Sequence, residues 1–406
     1  MTTAAQPSAT DLMTAAARQD NRANPYPYYA QLRQQPVARA DDGTWLVSGY
    51  QEIYQLMHDP RISSDRRNPY LPPPETKSLL VQDPPCHDQL RRQVTQHFIP
   101  RIMGMRDHLH ELVTDLLDAH ISEQPGQLDI VADLAYPLPV TVICELLGVP
   151  RQDEPLFGSL SRVLTRGLEP IDIPTEEEIS ELVDAHRQLT EYLQGLIEHR
   201  RTHPGDDLIS DLLHSSTPEG PMGPKDLLTT LTLLLVAGHE TTVNLIANGT
   251  LALLRNPDAL ARLRTDPDLA TPLVEEVLRY DPPVQMTIRS TLADIDLAGT
   301  TIPKGSRVRL MLAAGNRDAN RFDNPDQFLP DRRDNAHLGF GGGLHYCIGA
   351  TLARAEAHIA LTALAGRLDS PRLVADPPPY RDNAVLRGPQ HLPVSFNRLT
   401  SDTRTA

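Results

Sequence analysis

A glycine-rich stretch that leads directly into a helical pattern constrains the fold of this chain more than any other feature. Residues 340–349 read F-G-G-G-L-H-Y-C-I-G, and residues 350–361 are rich in strong helix formers. Cys347 should therefore lie at a helix N-terminus, where unpaired backbone N–H groups and the helix dipole favour an anion. Such a position should stabilise a thiolate, which is the form of cysteine that binds a soft metal.

Other interpretations of residues 340–349 fit the sequence less well. A phosphate-binding loop requires a further glycine or a Gly-Lys pair, but position 346 is tyrosine. A zinc site requires several cysteine or histidine partners at short spacing, a pattern that this stretch does not show. A lone cysteine is more often a small buried apolar residue, but here all six fixed residues of F-G-x-G-x-H-x-C-x-G are present. The stretch resembles the cysteine-ligand loop of cytochrome P450, the haem-thiolate monooxygenases.

This resemblance implies a fold and a cofactor. The fold would be mainly α with small β-sheets (α+β), in which a triangular helical domain encloses haem b. Cys347 would be the iron ligand, and Phe340, Gly341, His345 and Gly349 would form the loop around the cofactor. A cysteine thiolate on haem iron favours cleavage of the O–O bond.

Composition and charge exclude several classes of protein. The 406 residues include 38 Lys and Arg against 53 Asp and Glu, a net charge of −15, and no basic run that would bind nucleic acid or an anionic membrane. Three cysteines far apart in sequence argue against a disulfide framework and favour a reducing compartment. Residues 1–24 lack the apolar core of a signal peptide. We therefore expect a cytoplasmic protein with a disordered tail over residues 1–22 and a single domain over residues 23–406.

The longest helical pattern, residues 224–255, is interrupted by small and polar residues where an apolar buried helix should continue. Its middle reads V-A-G-H-E-T-T-V-N, and such a departure from local preference is typical of a functional site. A zinc-protease H-E-x-x-H motif fails because position 243 is valine, whereas a purely structural threonine remains an alternative. The resemblance implies that Ala237 and Gly238 open a groove over the haem. It also implies that Glu240 and Thr241 deliver the protons that O–O cleavage requires.

Four basic residues match the positions that bind the haem propionates in this family. His87 and Arg91 have the i,i+4 spacing of one helix face, which is equally typical of a solvated pair. The resemblance implies that they act with Arg289 and His345, because two buried carboxylates require cationic partners.

A further set of charges is interpreted as structural. Glu276 and Arg279 form an E-x-x-R pattern, and an i,i+3 pair of this kind contributes little when it lies on a surface. The resemblance implies that the pair instead holds the fold together, with Arg332 as its third partner.

Local patterns predict elements around these motifs. Residues 36–48 have the turn and strand signals of a hairpin, and Thr175 with Glu178 forms a capping box at the start of a long helix. The resemblance implies that residues 166–174 form a mobile roof over the site. Residues 380–396 read as a β-hairpin.

The segments that the resemblance places at the substrate carry mainly aliphatic or small residues. The residues predicted to contact the substrate are Val236, Ala237, Val284, Val385 and Leu386. Residues 243–246 and the cysteine loop resemble those of bacterial enzymes that tailor macrolides and related natural products. We therefore expect hydroxylation or epoxidation of a bulky, mostly apolar secondary metabolite, such as a macrolide or another polyketide, by insertion of one oxygen atom from O2.

Two alternatives remain open, and the partners follow from the family. One alternative is oxidative coupling or cyclisation of a peptide or aromatic natural product; the other, from a different class, is a non-catalytic haem sensor. Electrons should come from a ferredoxin or flavodoxin with its NAD(P)H reductase, docked near Arg92, Arg101 and Arg354. We expect a monomer that binds neither nucleic acid nor membrane.

Overall fold

The computed structural model of the chain describes residues 7–65, 77–122, 124–166 and 175–401. Helices predominate and small β-sheets lie beside them, so the predicted fold class is confirmed. The α-helices are α1 Ala9–Ala17, α2 Tyr26–Leu32, α3 Tyr50–Met57, α4 Cys86–Gly104, α5 Arg106–Asp118, α6 Pro137–Leu147, α7 Glu154–Arg166, α8 Glu176–Thr202, α9 Leu208–Leu213, α10 Pro224–Gly238, α11 Glu240–Arg255, α12 Pro257–Thr265, α13 Ala270–Tyr280, α14 Leu312–Gly315 and α15 Ala350–Arg367. The strands are β1 Val37–Arg39, β2 Trp45–Val47, β3 Ile62–Ser63, β4 Gly126–Asp129, β5 Thr287–Thr291, β6 Ile295–Leu297, β7 Thr300–Ile302, β8 Arg307–Leu310, β9 Leu368–Asp369, β10 Arg372–Leu373, β11 Pro393–Phe396 and β12 Arg398–Leu399.

The core of the helical part is built around α11 and α15, which pack against each other. Val243 and Ile246 of α11 and Leu361 of α15 are fully buried. A Cβ at Gly249 of α11 would lie 2.8 Å from Leu361 Cδ1, so the absence of a side chain there permits the close approach of the two helices. The helix that follows the cysteine loop is therefore held against the helix that carries Glu240 and Thr241.

The largest sheet has five strands in the order β1-β2-β8-β5-β3. The predicted hairpin is confirmed: β1 and β2 pair antiparallel from Val37↔Val47, and Gly43 in the turn adopts φ +83°. β2 runs parallel to β8, and β8 pairs antiparallel with β5. This pairing fixes β5, the strand that carries Arg289, in the interior of the sheet.

The long helix predicted over residues 224–255 is divided into α10 and α11 at His239, whose backbone lies at φ −109° and ψ −47°. By length and composition alone the two helices could cross a membrane, but 67% of their most apolar window is buried inside the protein. Such burial is typical of the core helix of a soluble protein. The division falls in the middle of the V-A-G-H-E-T-T-V-N segment.

The disordered tail predicted for residues 1–22 is wrong, because α1 is an ordered helix. Ser8 caps it by accepting a hydrogen bond from the Asp11 backbone N–H at 3.1 Å, while the Asp11 carboxylate accepts from the Ser8 N–H at 2.9 Å. Its buried residues are Leu12, Met13, Ala16 and Ala17. They pack with α2 and with the sheet, and this apolar burial provides the free energy that orders the segment. The boundary predicted at residue 23 therefore has no structural counterpart, although residues 1–6 lie outside the described part of the chain.

Two further local predictions can be compared with the structure. The capping box at α8 is confirmed: the Glu178 N–H donates to Thr175 Oγ1 at 3.2 Å, and the Thr175 N–H donates to Glu178 Oε2 at 2.8 Å. The hairpin predicted over residues 380–396 is confirmed around its turn, where Tyr380 and Pro389 form an antiparallel bridge and the Arg381 N–H donates to Gly388 O at 3.2 Å. It is wrong for the last residues, because β11 pairs with β4 and β10. The roof predicted over residues 166–174 lies outside the described residues except for its first position.

Candidate active site

The glycine-rich loop turns tightly so that Cys347 lies just before α15. The Cys347 N–H donates to Phe340 O at 3.0 Å, and Gly341 and Gly343 adopt φ +71° and +60°. A Cβ at Gly343 would lie 2.2 Å from the carbonyl oxygen of Met57, so position 343 requires glycine. Cys347 remains exposed, with Gly349 at the N-cap of the helix.

The expectation that the helix N-terminus stabilises the Cys347 thiolate is only partly met. The Gly349 backbone N–H bonds to the sulfur and, with Arg91 and Arg354, lowers the pKa of the thiol. Although Cys347 keeps an exposed face, desolvation by the protein packed around its sulfur acts more strongly in the opposite direction, so the pKa of Cys347 lies above its ordinary value. Without a metal the sulfur therefore carries its proton, and a bound metal would displace that proton.

Cationic groups converge beside this loop. The rings of His87 and His345 lie 4.4 Å apart, and Arg91 Nη2 donates to the Tyr346 carbonyl at 2.8 Å. Burial lowers the pKa of His345 to about 4, and the nearby charges of Arg289, His87 and Arg91 add to this effect. His87 Nε2 is buried and has no hydrogen-bond partner among the described residues. The structure thus brings together the four residues predicted to bind propionates.

On α10 and α11 a short exposed surface interrupts an otherwise buried pair of helices. Ala237 is exposed, and Val236, Gly238 and Thr241 are half-buried, although the residues on either side are buried. The Thr241 hydroxyl donates to the Ala237 carbonyl at 3.0 Å. This open surface, with a hydroxyl at its edge, corresponds to the predicted groove.

Glu240 is buried at the first position of α11. Its Oε2 forms an ion pair with Arg381 Nη1, and His239 Nε2 lies 3.9 Å from its Oε1. Burial lowers the pKa of His239 below its ordinary value. Sequence reasoning missed Arg381, because it lies 141 positions away in the chain and no local pattern marks it.

Three of the five residues predicted to contact substrate, Val284, Val385 and Leu386, lie on segments that meet. Val284 and Leu386 form an antiparallel bridge, and the Gln285 N–H donates to the Val385 carbonyl at 2.9 Å. The C-terminal segment is therefore fixed next to the segment that precedes β5. Val236 and Ala237 belong to the exposed surface of α10.

The predicted structural trio is assembled in the core. Arg279 Nη2 and Nε donate to the Glu276 carboxylate at 2.7 and 2.8 Å, and Arg332 Nε donates to it at 3.1 Å. Both members of the helical pair have fully buried side chains. Arg279 Nη1 also donates to the backbone carbonyls of Asn316 and Pro325 at 3.0 and 2.8 Å. These contacts tie α13 to the irregular segment before the cysteine loop.

A buried acid that sequence reasoning missed lies on α15. Glu356 is 1% exposed, and burial raises the pKa of its carboxyl to about 8. The Thr242 hydroxyl lowers the pKa of Glu356 and so opposes the effect of burial, although neither carboxyl oxygen has a well-aligned hydrogen-bond partner among the described residues. The sequence between Cys347 and Glu356 does not distinguish Glu356 from a glutamate on the exposed face of a helix.

The arginines predicted to dock an electron donor are mostly engaged within the protein. Arg354 donates to both oxygens of Glu275 at 2.6 and 2.8 Å, and Arg101 donates to Asp211 at 2.6 Å. Arg92 keeps 59% of its side chain exposed and lies 3.3 Å from Glu219. Arg92 is exposed whereas Arg101 and Arg354 are half-buried, and each of the three charges has a carboxylate partner.

These residues fit haem b. The buried nitrogen of His87, which has no hydrogen-bond partner in the described part of the chain, and the nearby guanidinium groups of Arg91 and Arg289 match two propionates. Within the described ranges no three His, Cys, Asp or Glu side chains could together hold a metal ion. The exposed surface of Ala237 leaves room for a flat ligand beside the helix.

Comparisons with known proteins agree with this fold and site. The model of the cytochrome P450 family matches residues 22–396. The chain is 42% identical to the cytochrome P450 monooxygenase PikC of Streptomyces venezuelae, over 98% of this chain and 96% of PikC. It is 36% identical to 6-deoxyerythronolide B hydroxylase of Saccharopolyspora erythraea, over 92% and 96% of the two chains. The crystal structure of Mycobacterium smegmatis CYP164A2 with econazole matches with a TM-score of 0.88 and 38% identity, over 96% of this chain and all of that one.

The chain belongs to the cytochrome P450 family. It is a haem b oxidoreductase whose iron is bound through a cysteine thiolate, and it acts on a small molecule with O2 and electrons from redox partners. It is therefore an enzyme rather than a non-catalytic haem sensor.

Proposed function

We propose that this enzyme inserts one oxygen atom from O2 into a bulky, mostly apolar secondary metabolite of the macrolide or polyketide class. The observation that carries the proposal is the antiparallel bridge that brings the aliphatic residues Val284 and Leu386 together, along with the open surface of Ala237. Apolar walls of this kind bind apolar substrates by excluding water from both surfaces. The name of one relative, 6-deoxyerythronolide B hydroxylase, describes hydroxylation of such a compound by that protein.

In this proposal each predicted residue has one task. Cys347 holds the iron, and His87, Arg91, Arg289 and His345 hold the propionates. When bound, the haem supplies dioxygen binding and O–O cleavage, which the thiolate favours. One oxygen atom enters the substrate and the other leaves as water, which consumes two electrons from the donor and two protons.

Proton delivery falls to the pair at the start of α11. The Thr241 hydroxyl is tied to the Ala237 carbonyl at 3.0 Å, which fixes its position at the edge of the open surface. Glu240 lies next to it in the chain, buried and ion-paired. An apolar pocket offers few other donors, so this pair is the relay from the protein to the reacting oxygen.

The electron donor in this proposal is a ferredoxin or flavodoxin with its NAD(P)H reductase, and the enzyme is a cytoplasmic monomer. Cys86, Cys144 and Cys347 are all free thiols, which suits a reducing compartment. All three arginines have a carboxylate partner, and Arg92 is best placed to contact a donor because its side chain is the most exposed of the three.

The test is turnover under isotopically labelled dioxygen. Compounds that change the spin state of the purified holoprotein are incubated with a surrogate ferredoxin, its reductase and NADPH. Insertion predicts one labelled oxygen atom in the product, whereas oxidative coupling or cyclisation predicts none. A panel in which only linear fatty acids bind and react would contradict the proposed substrate class.

Thr241→Ala tests the relay. We expect NADPH consumption to continue while product falls by a factor on the order of ten or more, because oxygen is then released as peroxide. The matched control is Thr232→Ala in α10, whose hydroxyl also donates to the carbonyl four residues before it, at 2.9 Å. Equal product yields from the two variants would remove Thr241 from the relay.

A further inference from the structure

The carboxylate of Glu240 is held by an arginine from a distant part of the chain. Arg381 Nη1 donates to Glu240 Oε2, with side chains that are 19% and 3% exposed. The other oxygen, Oε1, has no hydrogen-bond partner within the described residues. His239 Nε2, 3.9 Å from Oε1, belongs to a ring that burial keeps neutral by lowering its pKa. Arg381 is therefore the cation in direct contact with this buried acid, while the charge of Arg162 also acts on the neighbouring His239.

Arg381 is itself fixed by the segment that carries it, residues 380–389. Its backbone N–H donates to Gly388 O at 3.2 Å, and its Nε donates to Pro389 O at 3.4 Å. Gly388 packs directly on α11, since a Cβ there would lie 2.2 Å from Asn244 Oδ1. The guanidinium of Arg381 thus contacts Glu240 of α11, while the backbone at Gly388 packs against Asn244, one turn further along the same helix.

The same segment shapes the wall predicted to face the substrate. Asn383 Oδ1 accepts hydrogen bonds from the N–H groups of Val385 and Leu386 at 2.9 and 2.8 Å. Asn383 Nδ2 donates to the carbonyl of Thr165, near the end of α7, at 3.1 Å. One short segment therefore sets the position of Arg381 and of the turn that contains Val385 and Leu386.

We propose that Arg381 is a positioning residue for Glu240, and that residues 380–389 link the proton relay to the wall that faces the substrate. This inference rests on the proposed role of Glu240 in proton delivery. A buried carboxylate that loses its cationic partner takes up a proton or changes its position. A relay depends on donor and acceptor being held in reach, so either change slows it. Arg381 acts through Glu240 and needs no contact with the substrate.

The other end of α11 offers a matched control. Arg255, the last residue of the helix, forms an ion pair with Asp376 of the C-terminal region. Both pairs join α11 to the same part of the chain, but Arg255 is 36% exposed and lies fifteen positions after Glu240. Arg255→Met therefore removes a similar contact without touching the relay.

The experiment compares Arg381→Met, Arg381→Lys and Arg255→Met as holoproteins. Infrared difference spectra against the wild type at neutral pH should show one protonated carboxyl band in Arg381→Met in addition to that of Glu356, and Glu240→Gln/Arg381→Met should lack this additional band. Product formed per NADPH should fall on the order of tenfold, with peroxide in its place. Substrate affinity from the spin-state change should stay within about twofold. Arg381→Lys should restore most of the yield, and Arg255→Met should match the wild type.

Several results would overturn the inference. If Arg381→Met is as productive as the wild type and shows no additional carboxyl band, Glu240 is held by something else. Should Arg381→Met fail to bind haem, Glu240→Gln/Arg381→Met, which retains neither charge, must fold; a double variant that still fails shows that Arg381 serves only the fold. Glu240→Gln alone separates the two proposals. If it retains the wild-type yield, the proposed relay is wrong, whereas a loss in Glu240→Gln without a loss in Arg381→Met rejects only the role of Arg381.

Discussion

Replacing the buried carboxyl of Glu356 by the amide of glutamine should stabilise the protein, by an amount that grows with pH. Burial raises the pKa of this carboxyl from an ordinary 4.5 to about 8, and the Thr242 hydroxyl offsets little of the rise. Between these two values the unfolded chain releases the proton while the folded protein keeps it. The wild type therefore loses stability as the pH rises from about 4.5 to about 8. Glutamine has the shape and polarity of the neutral acid but no proton to lose.

The expected magnitude follows from the distance between the pH and the ordinary pKa. Each pH unit above the ordinary pKa lowers the free energy of unfolding of the wild type by about 1.4 kcal/mol. Glu356→Gln should therefore stabilise the protein by about 1 kcal/mol at pH 5 and by about 3 kcal/mol at pH 7. The unfolding entropy is about 2 cal/mol/K per residue, so about 3 kcal/mol corresponds to a rise in Tm of about 4 °C for 406 residues.

Thermal unfolding of the holoprotein at the two pH values is the assay. Glu177→Gln, at an exposed position on α8, is the control and should leave Tm unchanged at both. An increase in Tm of Glu356→Gln that is equal at pH 5 and pH 7, or no increase at pH 7, would show that Glu356 is ionised in the folded protein. The argument from burial would then be refuted.

Three other substitutions test the remaining assignments. Cys347→Ser should abolish the carbon monoxide spectrum of a sulfur-ligated haem, whereas Cys144→Ser, at a buried free cysteine, should keep it. Glu276→Gln leaves Arg279 fully buried without its counter-charge, and chemical denaturation should show a loss of about 3–5 kcal/mol. Leu12→Ala should cost about 2 kcal/mol or more, because its side chain is buried beside α2; an unchanged denaturation midpoint would mean that α1 contributes nothing to stability.

Contacts between residues close in sequence were predictable, because spacing alone fixes them. The capping box of Thr175 and Glu178 spans three positions, and the turn signals place β1 against β2. Arg279 lies one turn after Glu276, so the two can meet on any helix. Arg332 is 56 positions from Glu276, and only the family resemblance pointed to it.

Contacts between distant residues were beyond local patterns. The ion pair of Glu240 with Arg381 spans 141 positions, and its existence depends on how residues 380–389 lie against α11. The ordering of α1 was missed for a different reason. Its signals were local, since Ser8 and Asp11 form a capping box and Leu12 and Ala16 share a helix face, but the alanine-rich composition suggested disorder.

Two buried carboxyl groups, one on α11 and one packed against it, show what sets the charge of an acid inside this protein. Glu240 and Glu356 are 2% and 1% exposed, so they are equally removed from water. Glu240 faces a guanidinium, whereas Glu356 has only the Thr242 hydroxyl nearby and is protonated at neutral pH. The two side chains are equally buried, and contact with Arg381 distinguishes Glu240 from Glu356. Without Arg381, the carboxyl group of Glu240 should therefore be protonated at neutral pH, as that of Glu356 is. For this reason a second protonated carboxyl band in Arg381→Met, in addition to that of Glu356, is the decisive observation.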